Sequence, residues 1–151
     1  MPEAELLLFA ASRAQLVREV VLPALDAGRA VLCDRFHDST TVYQGVARRL
    51  PPDQVAAINS FAVGGCLPDL TILLDMDARE AFARLRQRGT TADRMESEPA
   101  AFYEAVREGY LRVAAAEPDR LLVLDAGRAE DDLARAIQSA LTERFHGFFS
   151  R

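Results

Sequence analysis

Apolar positions recur along this chain with two different periods. Between residues 3 and 27, Leu7, Leu8, Ala11, Ala14, Val17, Val21 and Leu25, with Gln15 among them, return every three or four positions. That spacing predicts a helix with one broad apolar face. Pro23 is expected to bend or end it, and Gly28 to cap it. Three short runs are instead apolar throughout: AVLCD (30–34), DLTILLD (69–75) and LLVLD (121–125). Each reads as a strand, and the second as one covered on both faces.

Helical stretches fill the intervals. Residues 39–48 follow Ser39 as N-cap, and the next helix opens at Pro51-Pro52 and closes at Gly64-Gly65. AREAFARLRQRG stands behind the capping signature Asp77-Ala-Arg-Glu80 and stops at Gly89. AAFYEAVREGYLRVAAAEP and residues 130–145 are helical, whereas 90–99 is polar without a periodic face. Strands alternating with helices predict one α/β domain over 1–151, a parallel sheet flanked by helices. Such sheets bind ligands outside the carboxyl ends of their strands, where Asp34-Arg35, Asp75 and Asp125-Ala126 fall.

Composition narrows the function. Half of the 151 residues are hydrophobic and 27% are charged, as in soluble globular proteins. No apolar run approaches a membrane span, and the amino terminus carries acids where a secretory signal carries bases. The expected location is therefore the cytoplasm, with Cys33 and Cys66 as buried thiols in a reducing compartment. A net charge of −5 argues against a general nucleic-acid binder. All 18 basic residues are arginine; lysine is absent.

Three groups of residues carry candidate chemistry. Arg35 suits an anion, and Asp34 beside it either holds Arg35 or positions a hydrated divalent cation. Ser39, Thr40, Tyr43 and Gln44 follow within two helical turns and suit a ligand with carbonyl, imino and hydroxyl groups. The same residues also describe a strand-end salt bridge and a hydroxyl-rich cap. Phe9 and Arg13, four apart, place an aromatic plane beside a planar donor, or simply core beside surface. Arg84, Arg86, Arg88 and Arg94 cluster around Gly89, ahead of a helix bearing Arg107. They suit a phosphoryl-transfer lid over about 89–98, or a solvated helix face. His37 and His146 have no ligand spacing, and Asp75 and Asp77 read as a strand terminus and a cap.

In order along the chain, ELLLFAASRAQLV, VLCDRFHDSTTVYQG, PDLTILLDMD, DRMESE, GYLRVA and LLVLDA resemble the thymidylate kinases, a nucleoside monophosphate kinase family. The resemblance covers residues 5 to about 145. It implies a P-loop kinase-like fold, conversion of dTMP to dTDP with ATP, and Mg2+ as cofactor. It implies that Phe9 stacks on thymine, Arg13 bonds its carbonyl edge and Arg35 grips the monophosphate, with Asp34 near the magnesium. Ser39, Thr40 and Gln44 would line the base pocket, and Tyr43 would press on the deoxyribose. Arg94 would approach the transferring phosphoryl group, with Arg84 and Arg88 on the ATP side and Asp125-Ala126 near the adenine. Dimerisation through helices is common in the family, and the apolar first helix is a candidate for it.

The family's first strand and its P-loop, GxxxxGK[ST], have no counterpart in these residues. The expectation is a carboxyl-terminal portion of such a kinase, missing the first strands of the sheet and inactive alone. The strands at 30–34 and 69–75 would then flank a gap. The alternative expectation is a catalytically inactive nucleotide-binding or interaction module derived from the same family.

Overall fold

The computed structural model describes residues 1–87 and 98–149. Helix α1 spans Pro2–Leu16, with proline in its first turn and Glu3 and Glu5 facing the positive end of its dipole. It runs without a break into a π-helical turn, Val17–Val21, and then α2, Leu22–Asp26. Pro23 therefore does not end the helix. The wide turn directly before it gives the pyrrolidine ring the room that a regular α-turn denies. Gly28, at φ +70°, closes the unit: its amide donates to Leu25 O at 2.8 Å, and the Arg29 amide donates to Ala24 O at 3.0 Å.

The buried stripe of this long helix is Leu6, Ala10, Val17, Val21 and Ala24. Leu7, Leu8 and Leu25, expected on the apolar face, are exposed, because only the first stripe packs on α4, Pro52–Val63. Helix α4 starts at the double proline and ends at Gly64 in the left-handed conformation, φ +57°. Between them lie α3, His37–Thr40, and a second π-helical segment, Thr41–Ala47.

Strands β1, Thr71–Asp75, and β2, Leu121–Asp125, pair in parallel with Thr71 opposite Leu121 and Asp75 opposite Asp125. Helices α5, Ala78–Gln87, and α6, Ala100–Ala116, connect them. α7, Glu130–Arg144, and α8, His146–Phe149, follow. Asp77 caps α5 as its spacing predicted, accepting the Arg79 amide at 2.9 Å. No helix among the described residues is long and apolar enough to cross a membrane.

Two strand expectations change. Residues 30–34 form no ladder among the described residues, and Leu32 is 98% exposed. A strand exists only by pairing, and no described strand runs beside this one. β1 is half-buried rather than covered on both faces, with Leu74 51% exposed. Cys33 accordingly is exposed and Cys66 half-buried, not the enclosed thiols that their apolar neighbours suggested.

The tightest packing lies between α6 and the second π-helical segment. Val42, fully enclosed, meets Phe102 and Val106, with Tyr43 and Tyr110 against them. Gly109 lets the two helices approach: a Cβ there would stand 2.9 Å from Val42 Cγ1 and 3.4 Å from Val46. Gly109→Ala gains about 1 kcal/mol of helix propensity but overpacks this contact by about 1–3 kcal/mol. The second effect is the larger because Val42 has nowhere to go. The variant is expected to unfold at lower denaturant concentration than the parent, and a higher midpoint would contradict this packing.

Candidate active site

The site is built on the short loop before α3. Arg35 has φ +67°, a left-handed backbone that costs a non-glycine residue about 1–2 kcal/mol. Its guanidinium lies over the Tyr43 ring, 4.3 Å from the centroid. The π-helical turn that carries Tyr43 is a form that recurs at functional sites. Tyr43 is edge-on to Tyr110 at 6.4 Å, and the Tyr110 hydroxyl lies 2.7 Å from Ser39 Oγ. Ser39 is the third residue of α3, not its N-cap; the helix starts one turn earlier, with Phe36 as cap. Asp34 is exposed.

Phe9 and Arg13 share a face of α1 as predicted. Phe9 is 53% exposed, leaving its ring open to stack on a planar ligand. Arg13 reaches across to the loop, donating to Phe36 O at 3.2 Å and to Asn59 Oδ1 at 3.3 Å. It lies 5.6 Å from the centroid of the Phe36 ring. Asn59, buried on α4, donates to His37 O and to Thr41 Oγ1, both at 3.0 Å. The guanidinium has five N–H donors, so two protein acceptors leave others for a ligand.

Thr40 and Gln44 stand apart from this group. Thr40 is 1% exposed, and the buried Gln44 amide donates to Glu5 at 2.7 Å. Both back the site from inside rather than open into it. A single face of a π-helical turn cannot present every hydroxyl and amide that follows Arg35.

Beneath the loop lies an ion pair absent from the sequence reading. Asp38, buried, accepts from Arg120 through both oxygens, at 2.7 and 2.8 Å, and from Thr71 Oγ1 at 3.3 Å. Arg120 also donates to Glu117 at 2.7 Å. Burial works to raise the Asp38 pKa, but the Arg120 hydrogen bonds and charge, with His37 and Thr71, outweigh it and hold the carboxyl below its usual range. His37, its Nε2 enclosed 3.6 Å from Asp38, is shifted down by burial despite that carboxylate.

Thr71 and Arg120 mark the amino ends of the strands, so Asp38 finds its counter-charge there. With no ladder at 30–34, Asp34-Arg35 follow no described strand.

The carboxyl ends carry the second half of the site. Arg107 forks onto Asp75 at 2.7 and 2.9 Å and reaches Asp77 at 3.4 Å, so it is committed to the carboxyl end of β1. That hydrogen bond lowers the Asp75 pKa. Arg84 donates to Ala126 O at 3.1 Å, and the exposed Asp125 accepts the Gly127 amide at 2.8 Å. Arg84 and Asp125-Ala126, each expected on the ATP side, are thus neighbours. Arg88, Arg94, the side chain of Arg86 and the lid as far as residue 97 lie outside the described residues.

The pattern that defines the family "Thymidylate kinase" matches residues 1–137. This chain belongs to the thymidylate kinase family. It is 48% identical over 145 residues to the thymidylate kinase of Deinococcus radiodurans, covering 96% of this chain and 70% of the relative. The Clavibacter michiganensis enzyme is 49% identical over 138 residues, covering 91% and 65%, and that of Dehalococcoides mccartyi 50% over 137, also covering 91% and 65%. The chain spans about two thirds of the length of the curated thymidylate kinases that it matches.

The Asp38 and His37 shifts set an acid response. The folded state favours neutral His37, so stability falls as pH drops below 6.5, the unfolded value, towards the lower folded one. The folded state also favours ionised Asp38, so stability falls again below 3.8. Denaturant midpoints measured across pH should decline in both windows, and Asp38→Asn should flatten the lower one. A midpoint independent of pH from 7 to about 3 would contradict the buried network.

Proposed function

We propose that this polypeptide serves the phosphorylation of dTMP to dTDP, with ATP as phosphoryl donor, and that residues 9–43 form its acceptor site. The observation that carries the reading is that Arg13, one turn along α1 from the open Phe9 ring, bonds the carbonyl of Phe36, the residue next to Arg35. Phe9 stacks on the thymine and Arg13 donates to its carbonyl edge, with the donors that Asn59 and Phe36 leave free. Arg35 grips the monophosphate. Tyr43, half-buried beneath it, stands against the deoxyribose, and Ser39 completes the polar edge.

Among the described residues no cluster of three acidic, histidine or cysteine side chains is arranged to hold a metal. Mg2+ does not require one, because it keeps several waters and is shared between one or two carboxylates and substrate phosphates. The exposed Asp34 fits that role through a water. The ion would supply neutralisation of the phosphoryl oxygens. Arg84, Asp125 and Ala126 form the adenine side of the reading, while Arg88 and Arg94 rest on family resemblance alone. Cytoplasmic location and pairing through the apolar first helix belong to the same reading.

Calorimetry of the 151-residue chain is expected to show saturable dTMP binding, with Arg35→Ala weakening it by about ten- to a hundredfold, the worth of a charge-assisted hydrogen bond. In the protein as its gene encodes it, ADP release from ATP should depend on dTMP and exceed that with dUMP, dCMP or AMP. A chain that neither binds dTMP nor supports its phosphorylation contradicts the assignment.

A further inference from the structure

Arg35 is exposed, with a strained backbone, yet its guanidinium must be held in place to bind an anion with any advantage. The usual orienting partner of a binding-site arginine is a carboxylate, and no carboxylate among the described residues pairs with it. Two tyrosines take that place. The Tyr43 ring supports the guanidinium from one face at 4.3 Å. Tyr110, reaching in from α6, has its hydroxyl on Ser39 Oγ at 2.7 Å and its ring edge-on to Tyr43, 6.4 Å between centroids.

We infer that Tyr110 is a positioning residue for the phosphate clamp: its hydroxyl and ring, joined to Ser39 and Tyr43, hold the Arg35 guanidinium where the acceptor monophosphate binds. The inference rests on the proposed role of Arg35. Tyr110 acts through its neighbours: its hydroxyl is anchored on Ser39 Oγ, and its ring braces the edge of the Tyr43 ring on which the guanidinium lies. Burial pushes the Tyr110 phenol above its ordinary value, and it stays neutral throughout the physiological range. That neutrality matters. A carboxylate at this place would cancel the Arg35 charge, whereas a neutral phenol that braces Tyr43 leaves the whole positive charge for the phosphate. The ring is fixed in turn by its edge contact with Tyr43 and by the packing of α6 on the Val42 cluster.

The test compares dTMP with thymidine, which lacks only the phosphate, by calorimetry on the full chain. The parent should prefer dTMP, and Arg35→Ala should remove most of that preference. Tyr110→Phe keeps the ring and should lower the dTMP-to-thymidine affinity ratio about tenfold while leaving thymidine binding unchanged. In the Arg35→Ala background, Tyr110→Phe should change nothing further, because it acts through Arg35.

A parent with no preference for dTMP, or an Arg35→Ala variant that retains it, overturns the reading of Arg35 and this inference with it. A parent that prefers dTMP through Arg35, with an unchanged ratio in Tyr110→Phe, overturns the inference alone. So does a Tyr110→Phe loss that persists without Arg35. If the Phe variant does not fold, Ser39→Ala removes the hydroxyl's hydrogen-bond partner; because Ser39 also edges the pocket, only its dTMP-to-thymidine ratio is read. A lowered ratio that vanishes in the Arg35→Ala background supports the inference, and an unchanged or persisting one overturns it.

Discussion

The buried fork between Asp38 and Arg120 is the interaction on which the placement of the Arg35 loop depends. Asp38 stands three residues beyond Arg35, and Arg120 immediately precedes β2, so one ion pair fastens the loop to the sheet. Thr71 Oγ1 binds the same carboxylate and ties in β1. Taking two charges out of water costs several kcal/mol each, roughly balanced by their attraction and hydrogen bonds. The pair is therefore a device for fixing position more than a source of stability. Removing one partner would strand the other charge and cost about 3–5 kcal/mol.

Helix α6 is the second constraint, because it spans both halves. Arg107 and Tyr110, three residues apart and so on neighbouring positions of one face, reach Asp75 and Ser39 respectively. The first secures the carboxyl end of β1 and the second the arginine loop. Gly109 between them permits the close approach to Val42 that brings Tyr110 within reach. Asn59 serves the same purpose from α4, binding the loop's carbonyl at His37 and the guanidinium of Arg13. The segment that follows Arg35, outside any described ladder, is thus held by contacts from three directions.

Much of this was legible in the sequence. Helices with strong punctuation were placed well: Pro51-Pro52 and Gly64 bound α4, Asp77 caps α5, and LLVLD is β2 residue for residue. The shared helix face of Phe9 and Arg13 followed from their spacing of four. What failed were inferences that needed a partner. Residues 30–34 have strand composition, but a ladder requires a neighbour that composition cannot report. Asp38 read as one more polar residue in a hydroxyl-rich turn, since nothing local distinguishes a buried carboxylate from an exposed one. Its partner lies 82 residues away, and no spacing rule links them. Tyr110 and Asn59 were missed for the same reason: each acts across helices, not along one. Ser39 misled because it has the right chemistry for a cap but stands one turn too late, where its hydroxyl serves Tyr110 instead.

The central claim is that Arg35, held over Tyr43, is the phosphate clamp of a preformed dTMP site. A crystal structure of the chain with dTMP tests it most directly. The account predicts the phosphate within hydrogen-bonding distance of the Arg35 guanidinium and the thymine ring stacked on Phe9, with the Asp38–Arg120 pair unchanged. A nucleotide bound elsewhere, or one whose phosphate leaves Arg35 uncontacted, would contradict it.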